Sequence, residues 1–396
     1  MKILKQTLQS HVSKSLSKLR SSTTMIISSS PMIQANNVPR KTDQSLKGFS
    51  NHLKEQVEKS HFYPLQFNLK SVSYGSQLTA KYPMQNDIQS ACEMMKRTGA
   101  TNIIGVGSGP AIDLAKACHA ESDQGELILC PSTLGGLLAS TSETCVLLSQ
   151  EEETLMPHAI GNQDNITVVM DEKGIAIPSW TSRGDDSRGS NATALDAALA
   201  GLVMSIDAAI SIENDEQYEK YSDIIFQSID ASTKCIDIFL KNNTITEDVK
   251  MNAMQAMIQS GNLLSVGDGD MRRSISHALT SALLPRYFPH GNWITFTASI
   301  LPGLISAILD ESEYDNHDTL NMAIHRILGD ENASSSQLLE WVQNTCPFVP
   351  GLASFAEDAP DIDILMSKLE DHGAFLNCKD ADSVFLNHVL ISSLNR

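Results

Sequence analysis

Between residues 24 and 170 the apolar positions fall into short runs separated by stretches with helical spacing. Met25-Ile26-Ile27 is bounded by Thr and Ser, the signature of a buried strand. A weak helical pattern covers 45–58, and 66–74 reads as a second strand ending at Gly75. From Asp87 to Arg97, Ile88, Ala91, Cys92 and Met95 recur at helical spacing, with Asp87 at the start and Gly99 as the stop. Asn102–Val106 is a strand that breaks into Gly107-Ser108-Gly109-Pro110, and the helix Ala111–Ala117 follows. Leu127–Cys130, Cys145–Leu148 and Thr167–Met170 are further strands. Repeated β–α alternation predicts a parallel sheet covered by helices.

After Pro178 strand-like runs disappear. Ala-, Ile-, Leu- and Met-rich stretches of helix length take over at 191–213, 217–241, 246–264, 274–284, 293–308 and 318–328. The expectation is an α/β domain over 1–178 and an all-helical domain over 179–396, with the boundary near Ile177-Pro178. No internal repeat is visible.

The first 42 residues carry seven Lys or Arg and no Asp or Glu. Ile3, Leu4, Leu8, Val12, Leu16 and Leu19 can share a helical face there, which fits either the first helix of the domain or, over residues 1–22, a mitochondrial presequence. The location expected is therefore cytoplasmic, with mitochondrial as the alternative.

The whole chain is acidic, with a formal net charge of −18 over 396 residues. That surface repels a phosphate backbone, so nucleic acid is not an expected partner. No run of 18 or more apolar residues occurs, so no membrane span is expected. Seven cysteines, an odd number without a CxxC, fit a reduced intracellular setting.

Two loops could carry chemistry. Gly107-Ser108-Gly109 lies between a strand and a helix, where free N–H groups and the helix dipole favour an anion. Pro131-Ser132-Thr133-Leu134-Gly135-Gly136 follows the next strand, at the carboxyl end where open α/β sheets bind ligands. Either loop, taken singly, could equally be glycine-rich for packing. The GxGxxG fingerprint is incomplete and no GK[ST] occurs.

The run Ile103–Lys116 resembles the GGGS-x-x-D-x-A-K signature of iron-type alcohol dehydrogenases, a family that includes maleylacetate reductases and glycerol dehydrogenases. Pro131-Ser132-Thr133 is similar to its second nucleotide loop. Val168–Asp171 through Pro178 is similar to its boundary segment. Ile275–Leu279 and Phe288–Gly291 resemble its two histidine motifs, and Leu301-Pro302 follows in order.

The resemblance implies a dehydroquinate synthase-like architecture, with NAD or NADP lying across the cleft between the domains. Gly107, Ser108 and Gly109 would line the pyrophosphate, Asp113 and Lys116 stand at the signature Asp and Lys, and Ser132 and Thr133 would bond the cofactor. Two departures are visible: Ser108 replaces a glycine and Pro110 replaces the serine. Proline is tolerable at a helix start, although it removes one anion donor.

The same resemblance implies a divalent iron or zinc held by one Asp and three His, polarising the alcohol oxygen. The Asp and first His normally stand four apart on one helix. With Asp196 at the Asp position, Ala200 stands where histidine is expected; other registers put Thr193 or Asn191 there. No register recovers the histidine, because none occurs between His158 and His277. His277 and His290 remain, and Ser281 stands where many members have another histidine near the substrate.

Three readings follow. Asp196, His277 and His290 hold a metal with water completing the shell; or the site is a metal-free reductase site in which His277 or His290 relays a proton; or it is inactive. The leading function is an NAD(P)-dependent oxidoreductase of a small alcohol, aldehyde or ketone, with homodimeric assembly expected. The rivals are a non-catalytic nucleotide-binding or scaffolding protein and a metal-dependent lyase of the dehydroquinate synthase kind.

Overall fold

A computed structural model describes residues 2–5, 23–28, 64–68, 71–74 and 77–80. It also describes 82–177, 192–265, 275–311, 317–345, 350–371 and 383–394, less single residues and short stretches within these. The weak helical pattern at 45–58 lies outside the described residues. The chain divides into two compact units: Met1–Gln150 with Met156–Ile177, and Glu151–Leu155 with Pro178–Arg396.

The first unit is built on a six-stranded sheet, ordered β1 (Lys2–Lys5), β10 (Ile166–Met170), β7 (Leu127–Pro131), β6 (Ala100–Gly107), β2 (Thr23–Ser28) and β3 (Pro64–Asn68). Every pairing in it is parallel. Met25, Ile26 and Ile27 have no exposed surface, as a parallel strand covered on both faces requires. Helix α1 (Gln85–Thr98) begins where the Met84 amide donates to Asp87 and ends at Gly99 with φ 66°, where glycine carries no steric cost. Helix α2 (Gly109–Ser122) follows β6, and the short α3 (Leu134–Thr141) follows β7.

Three expectations change in this unit. Ile3 and Leu4 lie on an edge strand rather than a helical face, because Lys2–Lys5 pairs with Thr167–Met170; residues 6–22 are outside the described set. The single strand read over 66–74 is two: β3 joins the main sheet, whereas β4 (Ser71–Tyr74) turns back to pair antiparallel with β5 (Gln77–Ala80). Thr144–Leu148, β8, leaves the main sheet and pairs with β9 (Leu155–Ala159).

The strand order contains one reversal. From β2 the chain steps outward to β3, then returns to β6 on the other side of β2 and continues to β7 and β10. The turn after β6 therefore sits at the switch point, where crevices open at the carboxyl ends of parallel strands.

From Ala194 onward the regular elements among the described residues of the second unit are all helical. Its elements are α4 (Ala194–Ile210), α5 (Asp215–Asn242), α6 (Glu247–Ser265), α7 (Ile275–Tyr287), α8 (Trp293–Asp310), α9 (Asp318–Leu328), α10 (Ser335–Thr345), a 3₁₀ turn (Leu352–Phe355), α11 (Ile362–Asp371) and α12 (Ser383–Leu394). Every residue of α4 is buried, so it is the central helix, and α5, α6, α7, α8 and α9 pack around it.

Helix α8 is long and apolar enough to cross a bilayer by length and composition, with mean hydropathy 1.5. No unbroken apolar run announced it, because Thr295, Thr297 and Ser299 interrupt the pattern; 78% of it is buried, against α4, α10 and α12. Gly303 lets α12 approach: a Cβ there would lie 2.3 Å from the Val389 carbonyl.

Candidate functional site

The turn after β6 is built from three glycines with separate jobs. Gly105 lets α2 pack on the strand, since a Cβ there would stand 2.6 Å from that of Ala115. Gly107 has φ 138°, a conformation that side chains rarely adopt. Gly109 sits close to Gly135, whose carbonyl a Cβ would reach at 3.3 Å.

The second loop is locked to the first through backbone. The Ser132 amide donates to the Gly107 carbonyl at 2.9 Å, and a Cβ on Gly136 would meet that same carbonyl at 2.5 Å. Thr133 caps α3, its hydroxyl accepting from the Gly136 amide at 3.0 Å. The structure therefore joins Gly107, Ser108, Gly109, Ser132 and Thr133 in one double turn.

At the start of α2 the Ser108 carbonyl accepts from the amides of Ala111 and Ile112 at 3.1 and 3.2 Å. Pro110 sits in the first helical turn, where its missing N–H costs little. The amides of Ser108 and Gly109 are the ones this helix start leaves for an anion. The Ser108 hydroxyl is buried there and has no hydrogen-bond partner. A buried unsatisfied hydroxyl costs about 1–3 kcal/mol, which a ligand oxygen would recover.

Asp113 and Lys116 are placed elsewhere. Lys116 is buried, and its ammonium donates to the carbonyls of Ala139, Ser142 and Thr144 at 2.7, 2.7 and 2.6 Å. Ala139 lies in the last turn of α3, where carbonyls lack intrahelical donors. Asp113 is buried on the same face of α2 and accepts from the Val146 amide. Burial pushes its carboxyl up to about 7, against the pull of Lys116. Burial likewise lowers the Lys116 ammonium, opposed by Asp113. The pair docks β8 and the end of α3 onto α2, so cofactor contact by Asp113 and Lys116, expected from the signature, gives way to a structural role with all three ammonium donors occupied.

In the second unit Asp196 occupies the third position of α4. Its carboxylate accepts from the Thr193 amide and hydroxyl at 2.8 and 2.7 Å, closing a capping box. Ala200, one turn later, is fully buried. His277 lies in the first turn of α7, edge-on to Trp293 at 5.1 Å between ring centroids. Ser281 follows one turn on; its hydroxyl and the indole N–H of Trp293 are buried without hydrogen-bond partners. His290 sits in the turn before α8, its amide donating to the Phe355 carbonyl at 3.1 Å.

Asp196, His277 and His290 are not brought together: among the described residues no three His, Cys, Asp or Glu side chains form a group able to hold a metal. Asp196 is engaged as a cap instead.

Sequence reading missed Asp207. Its carboxylate accepts from the amides of Ile275 and Ser276 at 3.0 and 2.8 Å and from the Ser276 hydroxyl, anchoring the start of the His277 helix from 68 residues away. Nothing local marks it, because its partners are distant in sequence. Elsewhere in this unit Ser306 Oγ lies 3.1 Å from His388 Nε2, with Nδ1 3.2 Å from Asp310. Ser306 is inside α8, where the backbone amides are spent on the helix ladder. Acyl transfer needs free donors for an oxyanion, so this relay ties α12 to α8 and is not a hydrolytic site.

No protein-family model matches this chain, and no curated protein does either. Solved structures do. An iron-containing alcohol dehydrogenase from Thermotoga maritima aligns with a TM-score of 0.68 at 11% identity, covering 100% of this chain and 98% of that one. One from Thermococcus thioreducens gives 0.68 at 14%, covering 99% and 97%. A maleylacetate reductase from Agrobacterium tumefaciens gives 0.66 at 14%, covering 99% and 95%.

The fold is that of the iron-containing alcohol dehydrogenases and maleylacetate reductases. Within this fold the chain is a divergent sequence: it has the double turn after β6 and β7, and its described residues do not bring Asp196, His277 and His290 together as a metal-binding group.

Proposed function

We propose that this chain is an NAD(P)-dependent oxidoreductase that interconverts a small alcohol and its aldehyde or ketone, working as a metal-free reductase of the maleylacetate reductase type. The observation that carries the reading is the double turn: Gly107 at φ 138°, the Ser132–Gly107 bond, and a buried, unpartnered Ser108 hydroxyl at the start of a helix, all at the switch point of a parallel sheet. These features suit a pyrophosphate, whose oxygens would accept from the amides and hydroxyl there.

A nicotinamide, when bound, supplies the hydride. The remaining work falls on the chain. A carbonyl oxygen that gains negative charge needs a donor and then a proton. The Ser281 hydroxyl and Trp293 indole are buried donors with capacity to spare, and His277 stands beside Trp293. In this reading His277 delivers the proton and Ser281 orients the oxygen. Asp207 holds the helix that carries both. No step runs through Asp196 or through a metal.

The test is a titration of purified protein with NADH and NADPH, followed by nicotinamide fluorescence and then by a screen of aldehydes and ketones. Micromolar binding and turnover lost in His277→Ala, with cofactor binding retained, is the expected result. Absence of binding at millimolar NADH and NADPH would overturn the proposal.

A further inference from the structure

Helices α1 and α2 pack against each other, and two cysteines meet across that contact. Cys92 on α1 is half-buried, whereas Cys118 on α2 has no exposed surface and belongs to the core under the sheet. Cys92 Sγ donates to the Cys118 carbonyl at 3.9 Å, which brings the two cysteines side by side across the helix contact.

Cys92 also lines a surface cavity of about 500 Å³ together with Gln89, Glu93, Lys96 and Glu121. A small reagent in this cavity reaches the Cys92 sulfur, and Cys118 lies directly beneath it. The hydrogen bond from Cys118 holds the Cys92 thiol below its ordinary range, with Lys96 helping and both burial and Glu121 opposing. The same contact, together with burial, pushes the Cys118 thiol well up. The sulfur that lines the cavity is the more acidic of the two, and what sets Cys118 apart from the other buried cysteines is its place beside that sulfur, the arrangement in which an oxidised cysteine is resolved by its neighbour.

We propose that Cys92 and Cys118 form a hydroperoxide-responsive dithiol, with Cys92 the attacking sulfur and Cys118 the resolving one. The Cys92 thiolate attacks the peroxide. An S–O bond forms, the O–O bond breaks, the sulfur is oxidised by two electrons to a sulfenic acid, and the peroxide leaves as an alcohol, or as water from hydrogen peroxide. The Cys118 sulfur then displaces the sulfenic oxygen. An S–S bond forms, the S–O bond breaks, and water departs with the Cys118 proton. The disulfide ties α1 to α2 and is reversed by a thiol reductant.

Three other cysteines serve as internal controls. Cys130, Cys145 and Cys235 are buried, and burial pushes each thiol up to about 12. The proposal does not depend on the chain binding a dinucleotide.

The experiment treats the full-length reduced protein with excess hydrogen peroxide, blocks free thiols with N-ethylmaleimide, and maps the digest by mass spectrometry. A Cys92–Cys118 linked peptide, two hydrogens lighter and reversed by dithiothreitol, is the expected product. Before oxidation, Cys92 should alkylate at least about tenfold faster than Cys130 or Cys145. In Cys118→Ser a dimedone adduct should accumulate at Cys92, and in Cys92→Ser Cys118 should stay reduced. Recovery of Cys92 reduced, its linkage to another cysteine, or its conversion to sulfinic acid with Cys118 untouched would each overturn the proposal. The wild-type map decides the matter even if a variant fails to fold.

Discussion

The double turn of the first unit and the histidine region of the second have fared differently in this sequence. The turn is made of backbone: a φ of 138° at Gly107, an amide-to-carbonyl bond from Ser132, and two close approaches at Gly109 and Gly136. Such a feature survives when neighbouring side chains change, provided the glycines stay. The metal set of the second unit would have been made of side chains, and each ligand is a single replaceable residue. With alanine at 200 and Asp196 engaged as a helix cap, the set does not assemble.

Four experiments would break or sharpen that contrast. The largest effect is expected from Lys116→Met. It leaves three backbone carbonyls and the buried Asp113 without their cation, so a loss of about 3–5 kcal/mol is expected in denaturant unfolding of the first unit. A loss under about 1 kcal/mol would return Lys116 to the ligand side of the comparison.

Gly303→Ala comes next, at about 1–3 kcal/mol, because the new methyl meets the Val389 carbonyl of a neighbouring helix. Gly201→Ala should cost less, since its nearest obstacle is the rotatable Ser232 hydroxyl. Equal losses in thermal melts would show that helix contacts here yield more readily than packed backbone should.

Gly107→Ala forces a side chain into a conformation that costs about 1–3 kcal/mol. NADH or NADPH affinity should fall about tenfold or more, while far-UV circular dichroism stays unchanged. Unaltered affinity would remove the turn from the binding site.

The last test is a pH dependence. Asp113 has its folded-state value raised to about 7 from 3.8, so the native state keeps a proton that the unfolded chain gives up between those values. That contribution is fully present below about pH 4 and is lost as pH rises through about 7. Stability should drop by about 2–3 kcal/mol more between pH 5 and 8 in the wild type than in Asp113→Asn. Parallel curves would mean that Lys116 keeps Asp113 ionised throughout.

Much of the architecture was legible from the residue pattern. Periodicity placed helices at 87–97, with Gly99 as the stop, and at 318–328; they run over Gln85–Thr98 and Asp318–Leu328, and Gly99 ends the first at positive φ. The strands before the two turns were legible because buried parallel strands are short and uniformly apolar. The fate of 144–148 was not, since a strand's partner is set by where the chain returns, and Leu155–Ala159 carries no marker of that pairing. In the candidate site, the glycines of the turn could be read for their conformational purpose. The roles of Asp113 and Lys116 could not, because a buried docking pair and a ligand-binding pair look alike in a string of letters.

What the sequence determined by itself was local: which segments form strands and helices, where glycine permits a left-handed bend, and that no histidine lies between 158 and 277. What only the tertiary structure decided was long-range. Asp207 holds the His277 helix from 68 residues away, Lys116 gathers three carbonyls more than 20 residues distant, and Cys92 meets Cys118 across a helix contact. The physical reason is that periodicity and turn chemistry act over a few residues, whereas a buried polar group takes whichever partner the packing of distant elements brings within reach.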